Sequence, residues 1–251
     1  MQPEYIVPGI FSGIDDLVAL QTTRRGGLSP APFESLNLGR NTGDSTENVR
    51  ANTDVLCRAV QIAPERIVCS DQVHGTSVLH ARQPGFYPGY DALVTANSNI
   101  FLCIFTADCY PVLLFDPENL AVAAVHAGWK GTAGGIVAKT IDLMQLQFHS
   151  NPGDLLAWIG TGISQPAYEV DMSVAEQFPS AHRMPSDPEK KKALLDLCGA
   201  NRTQLLDAGV PARQIESSPF CAAGDSDLFY SYRRDAGRTG RMASIIGLRP
   251  R

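Results

Sequence analysis

Short apolar runs separated by polar breaks dominate the middle of the chain. Three of them, at residues 100–105, 112–115 and 120–125, each have the length of one buried strand. Further strands are predicted at Ile67–Cys69, Val78–His80 and 155–159, and another apolar run lies at 243–246.

Apolar residues at helical spacing predict helices between these strands. A first helix, which Pro64 ends, has an apolar face formed by Val49, Leu56 and Val60. Asp44 and Glu47 precede it at the spacing of a capping box. A second helix has its apolar positions at Ile136, Val137, Ile141, Met144 and Phe148. A third begins near Pro188, and its apolar side holds Leu194, Leu197, Cys198, Asn201 and Leu205. Short strands interleaved with about four helices indicate one compact α/β (α+β) domain over residues 1–251, with mixed sheets flanked by helices.

Composition narrows the class of protein. Of the 251 residues, 44% are hydrophobic and 19% are charged, as in a globular domain, and no apolar run is long enough to span a membrane. The net charge of −5 argues against a nucleic-acid or membrane-surface partner. The first residues do not resemble a signal peptide, and six scattered cysteines do not form a disulfide pattern. We therefore expect reduced thiols and a cytoplasmic location.

Three residues with metal-binding side chains follow predicted strands. His74, Cys109 and His126 lie beside small residues where the backbone can approach an ion closely. Three protein ligands with one open position are typical of catalytic zinc. The alternative is two histidines and one free cysteine with purely structural roles. Asp108 and Asp91 are the nearest carboxylates that could carry protons.

Seven motifs, in order, resemble the YfiH-like, or laccase-domain, family. They are TTRRGG at 22–27, SLNLG at 35–39, QVHG at 72–75, DALVT at 91–95, TADC at 106–109, AVHAGWKGT at 124–132 and FYSYRRD at 229–235. The resemblance extends from about residue 20 to residue 247. One departure is the segment GTGISQP at residues 160–166, where relatives tend to carry a Gly-Pro-x-Ile-Gly-Pro loop. This departure leaves the metal ligands intact and bears on substrate preference.

The resemblance implies a zinc ion held by His74, Cys109 and His126. It also implies phosphorolysis of purine nucleosides (adenosine, inosine, guanosine and methylthioadenosine) together with adenosine deamination. Its small-molecule partners would therefore be a purine nucleoside and phosphate. Some members of the family are described instead as polyphenol oxidases, and a role in peptidoglycan editing is attributed to others.

The residues can be assigned to these activities. We assign catalysis to Cys109, Asp108 and His126. Deamination fits a zinc ion that activates water, with a carboxylate carrying protons. Phosphorolysis needs donors for phosphate, which Arg25, Lys130 and Arg233 can supply. Asn37, Gln72 and Asp91, within the matched motifs, complete the predicted substrate-binding set.

Three other functions use the same residues. A copper-dependent polyphenol oxidase needs many imidazoles, whereas the chain has five histidines and no His-x-His pair, so copper is the less favoured metal. A metal-free hydrolase acting on a cell-wall precursor would use Cys109 as nucleophile and His126 or His74 as base. A scaffold protein would hold the zinc for structure alone.

Overall fold

The computed structural model describes residues 2–187, 189 and 191–250, and these contain fifteen strands and five α-helices. The strands are β1 (Tyr5–Ile6), β2 (Leu17–Thr22), β3 (Ile67–Cys69), β4 (Val78–His80), β5 (Gly85–Phe86), β6 (Ala92–Thr95), β7 (Phe101–Thr106), β8 (Tyr110–Asp116), β9 (Ala121–Ala127), β10 (Leu156–Ile159), β11 (Glu169–Asp171), β12 (Arg183–Asp187), β13 (Lys192–Leu195), β14 (Ile215–Ser217) and β15 (Met242–Leu248). The helices are α1 (Thr46–Ala59), α2 (Trp129–Ala133), α3 (Ile136–Phe148), α4 (Met172–Ala175) and α5 (Leu197–Asp207).

The strands form two six-stranded sheets and one three-stranded sheet. The first sheet has the order β1-β2-β15-β7-β3-β5, the second β14-β10-β8-β9-β6-β4 and the third β11-β13-β12. Both large sheets are antiparallel at the centre and gain parallel pairs toward one or both edges, such as β3 with β7 and β10 with β14. The predicted α+β fold with mixed sheets is confirmed.

The two large sheets pack face to face with helices on their outer faces. In β8, Leu113 and Phe115 enter the core between the sheets, whereas Val112 and Leu114 enter the core under α3 and α5. On the first sheet, alternate residues pack against α1. The layers are therefore helix, sheet, sheet, helix. Central strands are continuously apolar because both of their faces are buried.

Most predicted strands agree with the structure, and the central ones extend further than their apolar runs. β7 continues to Thr106, and β9 continues to Ala127. His126 therefore lies within a strand and does not follow one, which corrects the prediction. The difference arises because the polar side chain is buried at a sheet end, where it makes its own hydrogen bonds.

Two details of the predicted helices are wrong. The N-cap of α1 is Ser45, whose side chain accepts from the Asn48 N–H, so Asp44 and Glu47 do not form a capping box. The predicted third helix is partly a strand, because residues 192–195 pair with both β11 and β12 as β13. The helix α5 starts only at Leu197, and the predicted start at Pro188 lies outside the described residues.

No helix among the described residues is both long and apolar enough to cross a membrane.

Candidate metal centre and its cavity

Strand pairing brings Cys109 next to the end of β9. Tyr110 pairs with Ala127 and Pro111 with His126, so one further step in register places Cys109 opposite Gly128. A Cβ atom at Gly128 would lie 3.0 Å from Cys109 Sγ and 3.1 Å from His74 Cδ2. A larger residue here would force the ligand side chains to shift by a few tenths of an ångström, because the backbone approaches them so closely.

His74 reaches the same point from the loop between β3 and β4. Its Nε2 lies 4.0 Å from Cys109 Sγ, and one ligand atom from each of His74, Cys109 and His126 lies within 4.8 Å of the others. His126 is buried, Cys109 is half-buried and His74 is exposed. The structure thus brings together three side chains that are well separated in sequence.

Asp91 holds both histidines in place. Its Oδ1 accepts the Nδ1–H of His126 at 2.8 Å and the backbone N–H of His74 at 2.9 Å, while Oδ2 accepts the Gly75 N–H at 2.7 Å. Burial tends to raise the pKa of Asp91, but these hydrogen bonds and the His126 charge lower it below its ordinary value. Since a carboxylate can only accept, His126 Nδ1 carries a proton, so Nε2 is the atom that would bind a metal ion.

The three donors suit a borderline-soft ion. A thiolate and two imidazoles are typical zinc ligands and are also accepted by copper. Burial opposes ionisation of Cys109, yet the charge of His126 and hydrogen bonds from both histidines lower the pKa of its thiol to about 6. The same interaction with Cys109, together with Asp91, raises the pKa of His126 to about 9 in spite of burial. Cys109 is therefore prepared to bind as a thiolate.

The three ligands form one wall of a cavity of about 870 Å³, which is within the usual range for small-molecule sites. Four cationic side chains line it: Arg40, Lys130, Arg233 and Arg241. Five aromatic side chains line it as well: Phe86, Phe105, Trp129, Tyr168 and Tyr232. The cavity therefore combines a metal-ligand set, positive charge and surfaces on which a ring can stack.

Three residues assigned to substrate from the sequence lie outside this lining. Arg25 donates from Nε to the Asp227 carbonyl at 2.9 Å, and its Nη1 lies 3.6 Å from the Glu4 carboxylate. Asn37 is buried, and its Oδ1 accepts the backbone N–H of Arg241 at 2.9 Å. Asn37 therefore positions Arg241, and Arg25 is directed to another part of the surface. Asp91 is likewise absent from the lining, because it is buried behind the histidines.

Gln72, Lys130 and Arg233 do line the cavity. The Gln72 amide exchanges two hydrogen bonds of 2.7 Å with the backbone of Phe105, so most of its capacity is already used. The Lys130 ammonium lies 5.5 Å from the centre of the Trp129 ring. Arg233 donates from Nη1 to the Glu169 carbonyl at 2.7 Å.

Asp108 lines the cavity and keeps one carboxyl oxygen buried. Its φ of +85° is in a region that favours glycine, and its Oδ2 accepts the Arg233 backbone N–H at 2.7 Å. Among the described residues, its buried Oδ1 has no hydrogen-bond partner, and neither has the buried Oγ1 of Thr106. Both side chains line the cavity. Buried polar atoms are nearly always paired, so these two are candidates to contact a ligand.

Sequence reasoning missed Arg40, Arg241 and Tyr168. Arg40 directly follows the matched SLNLG motif and Arg241 directly precedes β15, and these two positions were the available signals. Tyr168 follows the divergent segment at residues 160–166, none of which lines the cavity. That segment supports the site from behind, where Ile163 donates its N–H to the Asp108 carbonyl at 2.8 Å.

Comparison with known proteins places this arrangement in a family. Residues 18–249 match the family described as multi-copper polyphenol oxidoreductase laccase. A protein of Deinococcus radiodurans named purine nucleoside phosphorylase is 44% identical over 228 residues, which cover 90% of this chain and 87% of that protein. The purine nucleoside phosphorylase YfiH of Escherichia coli K12 is 36% identical over 236 residues, with 92% and 94% covered. The crystal structure of YlmD from Geobacillus stearothermophilus superimposes with a TM-score of 0.91 at 36% identity, covering 97% of this chain and 94% of that one. The chain therefore belongs to the laccase-like family that includes YfiH and YlmD.

Proposed function

We propose that this chain is a zinc-dependent purine nucleoside phosphorylase that also deaminates adenosine. The observation that carries the proposal is that the His74, Cys109 and His126 ligand set shares one cavity with four cationic side chains. The names of the D. radiodurans and E. coli relatives support phosphorolysis. All six cysteines are free thiols, which fits the reducing cytoplasm in which we place this activity.

Phosphate binding is best assigned to the cations that line the cavity. Arg241 donates from Nη1 to the carbonyls of Thr239 and Gly240 at 3.0 and 2.9 Å, which fixes the guanidinium and leaves other donors for an anion. Burial of Arg241 removes part of its hydration and lowers the pKa of its guanidinium. A phosphate oxygen would therefore interact strongly with this cation. Arg40, Lys130 and Arg233 extend the same positive wall. We assign to these residues the phosphate-binding role that was predicted in part for Arg25.

The nucleoside needs a stacking surface and a proton carrier. Aromatic side chains of the cavity, such as Tyr168 and Trp129, can hold the purine ring. In phosphorolysis a phosphate oxygen bonds to the ribose C1′ as the bond to the purine nitrogen breaks, and the departing purine takes up a proton. We assign that proton transfer to Asp108, which lines the cavity and whose pKa is raised by burial. Zinc, when bound by the three ligands, supplies a Lewis acid beside the substrate.

Product analysis tests both activities. Purified zinc-loaded protein is incubated with adenosine, with and without phosphate. Adenine and ribose 1-phosphate that appear only with phosphate would establish phosphorolysis, and inosine would establish deamination. Cys109→Ala should lose zinc and deamination together. If adenosine is unchanged with phosphate and zinc present, the proposal fails.

The anion site is tested with matched arginine variants. Arg241→Ala should raise the phosphate requirement far more than the nucleoside requirement. Losing one charge-assisted contact costs about 1.5–3 kcal/mol, or about one to two decades in rate at low phosphate. Arg25→Ala removes the same charge outside the cavity and should leave the phosphate KM unchanged. A larger effect of Arg25→Ala than of Arg241→Ala would refute the assignment.

A metal-free cysteine hydrolase is the second candidate, because the pKa of the Cys109 thiol is lowered to about 6 beside His126. A thiolate nucleophile with a neighbouring imidazole is typical of such enzymes. The two candidates differ in their response to a chelator. Cleavage of an ester or amide that persists in chelator, in a protein that leaves adenosine unchanged, would favour the hydrolase.

A laccase-type copper cluster is not supported by the positions of the other histidines. His80 Nδ1 lies 3.1 Å from Gln147 Oε1, and His182 Nε2 lies 3.1 Å from Thr203 Oγ1. Neither side chain, nor His149, is among the residues that line the metal cavity. The imidazoles that several copper ions would need are therefore dispersed over the fold.

A further inference from the structure

A second cavity, of about 730 Å³, lies between α1 and the outer face of the first sheet. It is separate from the metal centre but shares part of its wall with the first cavity: Gly39, Arg40, Asn41, Phe86 and Phe105. Its lining includes two cysteines, Cys69 and Cys103, that have no part in the proposed function.

Strand register places the two thiols side by side. In the parallel pair of β3 and β7, Ile67 is opposite Phe101 and Val68 is opposite Leu102. The next step in register sets Cys69 opposite Cys103, on strands that are about 4.8 Å apart. Both cysteines pack in the core under α1, whereas Val68 and Leu102 face the core between the sheets.

The surroundings keep both thiols protonated, while one cationic side chain favours negative charge on them. Cys69 and Cys103 are 5% and 3% exposed, and burial raises the pKa of both thiols. The charge of Arg40 acts in the opposite direction on both. Cys57, on α1, belongs to the same core cluster but does not line the cavity.

We propose that Cys69 and Cys103 form a dithiol site for a thiophilic centre that takes two thiolates, with Arg40 as its counter-charge. Cu(I) would form two Cu–S bonds as both thiols release their protons to water. The product carries one negative charge, which the guanidinium of Arg40 balances. A trivalent organoarsenic oxide would form two As–S bonds, and its oxygen would leave as water with the two thiol protons. Neither reaction changes an oxidation state.

The arsenical arm uses phenylarsine oxide on the zinc-loaded protein. We expect one adduct per chain, with the mass of phenylarsine oxide less one water, and the loss of two of the six thiols from labelling after unfolding. Cys69→Ala and Cys103→Ala should each abolish the adduct, and Cys198→Ala should retain it. Should either variant fail to fold, the bridged peptide pair from digested wild-type protein decides the question. An adduct that joins other cysteines, or no adduct, overturns the proposal.

The copper arm measures Cu(I) uptake in competition with bicinchoninate. We expect wild-type protein to bind one Cu(I) more than Cys69→Ala, with zinc content measured in parallel. Arg40→Gln should weaken this Cu(I) binding about 10–100-fold, as loss of an outer-shell partner does, and leave the neutral arsenic adduct unaffected. Arsenical binding without Cu(I) uptake would overturn the metal assignment. Equal Cu(I) affinity in Arg40→Gln would overturn the role of Arg40.

Discussion

Replacing Asp91 by Asn tests whether this carboxylate prepares the metal centre. Asp91 is 1% exposed and accepts three hydrogen bonds, from His126 Nδ1 and from the backbone N–H groups of His74 and Gly75. An amide of the same shape keeps one acceptor and turns an NH₂ group toward at least one of these donors. A hydrogen bond to a charged group contributes about 1.5–3 kcal/mol, so we expect unfolding of the metal-free protein to become easier by about that amount.

The metal affinity should fall as well, because His126 would lose the partner that fixes its tautomer. Loss of such a partner typically reduces metal affinity about 10–100-fold. The assay is zinc competition against a chromophoric chelator, combined with urea unfolding of the metal-free protein. The structure offers a matched control in Asp116, which is fully buried and also accepts three hydrogen bonds, but at the far end of β8. Asp116→Asn should destabilise the fold and leave zinc affinity unchanged. If Asp91→Asn binds zinc as tightly as wild type, Asp91 does not have this role.

Three further predictions concern single positions. Gly128→Ala should lower zinc stoichiometry in a folded protein, because its Cβ would lie 3.0 Å from Cys109 Sγ; Gly153→Ala, whose nearest contact is 3.4 Å, is the control. Gly162→Ala places a Cβ 2.6 Å from the Tyr110 ring, so urea unfolding should show a loss of about 1–3 kcal/mol, and wild-type stability would contradict the packing described. Burial tends to raise the pKa of Asp44, but hydrogen bonds from Ser29, Asn48 and Asn37 lower it overall. The ionised Asp44 therefore stabilises the fold above the unfolded pKa of 3.8, and this contribution is lost as pH falls through the lower, folded pKa. The stability difference between wild type and Asp44→Asn should therefore shrink from pH 7 to pH 3, and a constant difference would refute this.

The sequence contains enough local information to predict most of the sheet. Runs such as that at residues 112–115 are apolar at every position because they separate two cores, and their length indicates strands. The sequence predicts a helix that includes residues 192–195, because Pro188 suits a first helical turn and Leu194 lies on the same side as Leu197 and Leu205. Residues 192–195 form β13 because β11 and β12 pair with them on both sides, and such partners come from distant parts of the chain.

Some residues of the site could likewise be predicted from local sequence, and others could not. His74, Cys109 and His126 are found in matched motifs next to strand ends, so their identity was predictable as a set. The direction of a long cationic side chain could not be predicted from the sequence. The Arg25 guanidinium donates to the Asp227 carbonyl, 202 positions away, and the Arg241 backbone N–H is bound by Asn37, 204 positions away. No local pattern contains such a pairing.

The hydrogen bonds of Asp91 have a consequence for metal selection. They join the His126 side chain to the His74 backbone, so these two parts of the site are held together before a metal ion binds. One sulfur and two nitrogens are acceptable ligands for both zinc and copper, and intrinsic affinity rises from Ni²⁺ to Cu²⁺ and falls again at Zn²⁺. We therefore expect protein isolated from copper-rich medium to contain copper and protein from ordinary medium to contain zinc. The metal that the chain carries would then reflect the supply in the cell as much as its own chemistry.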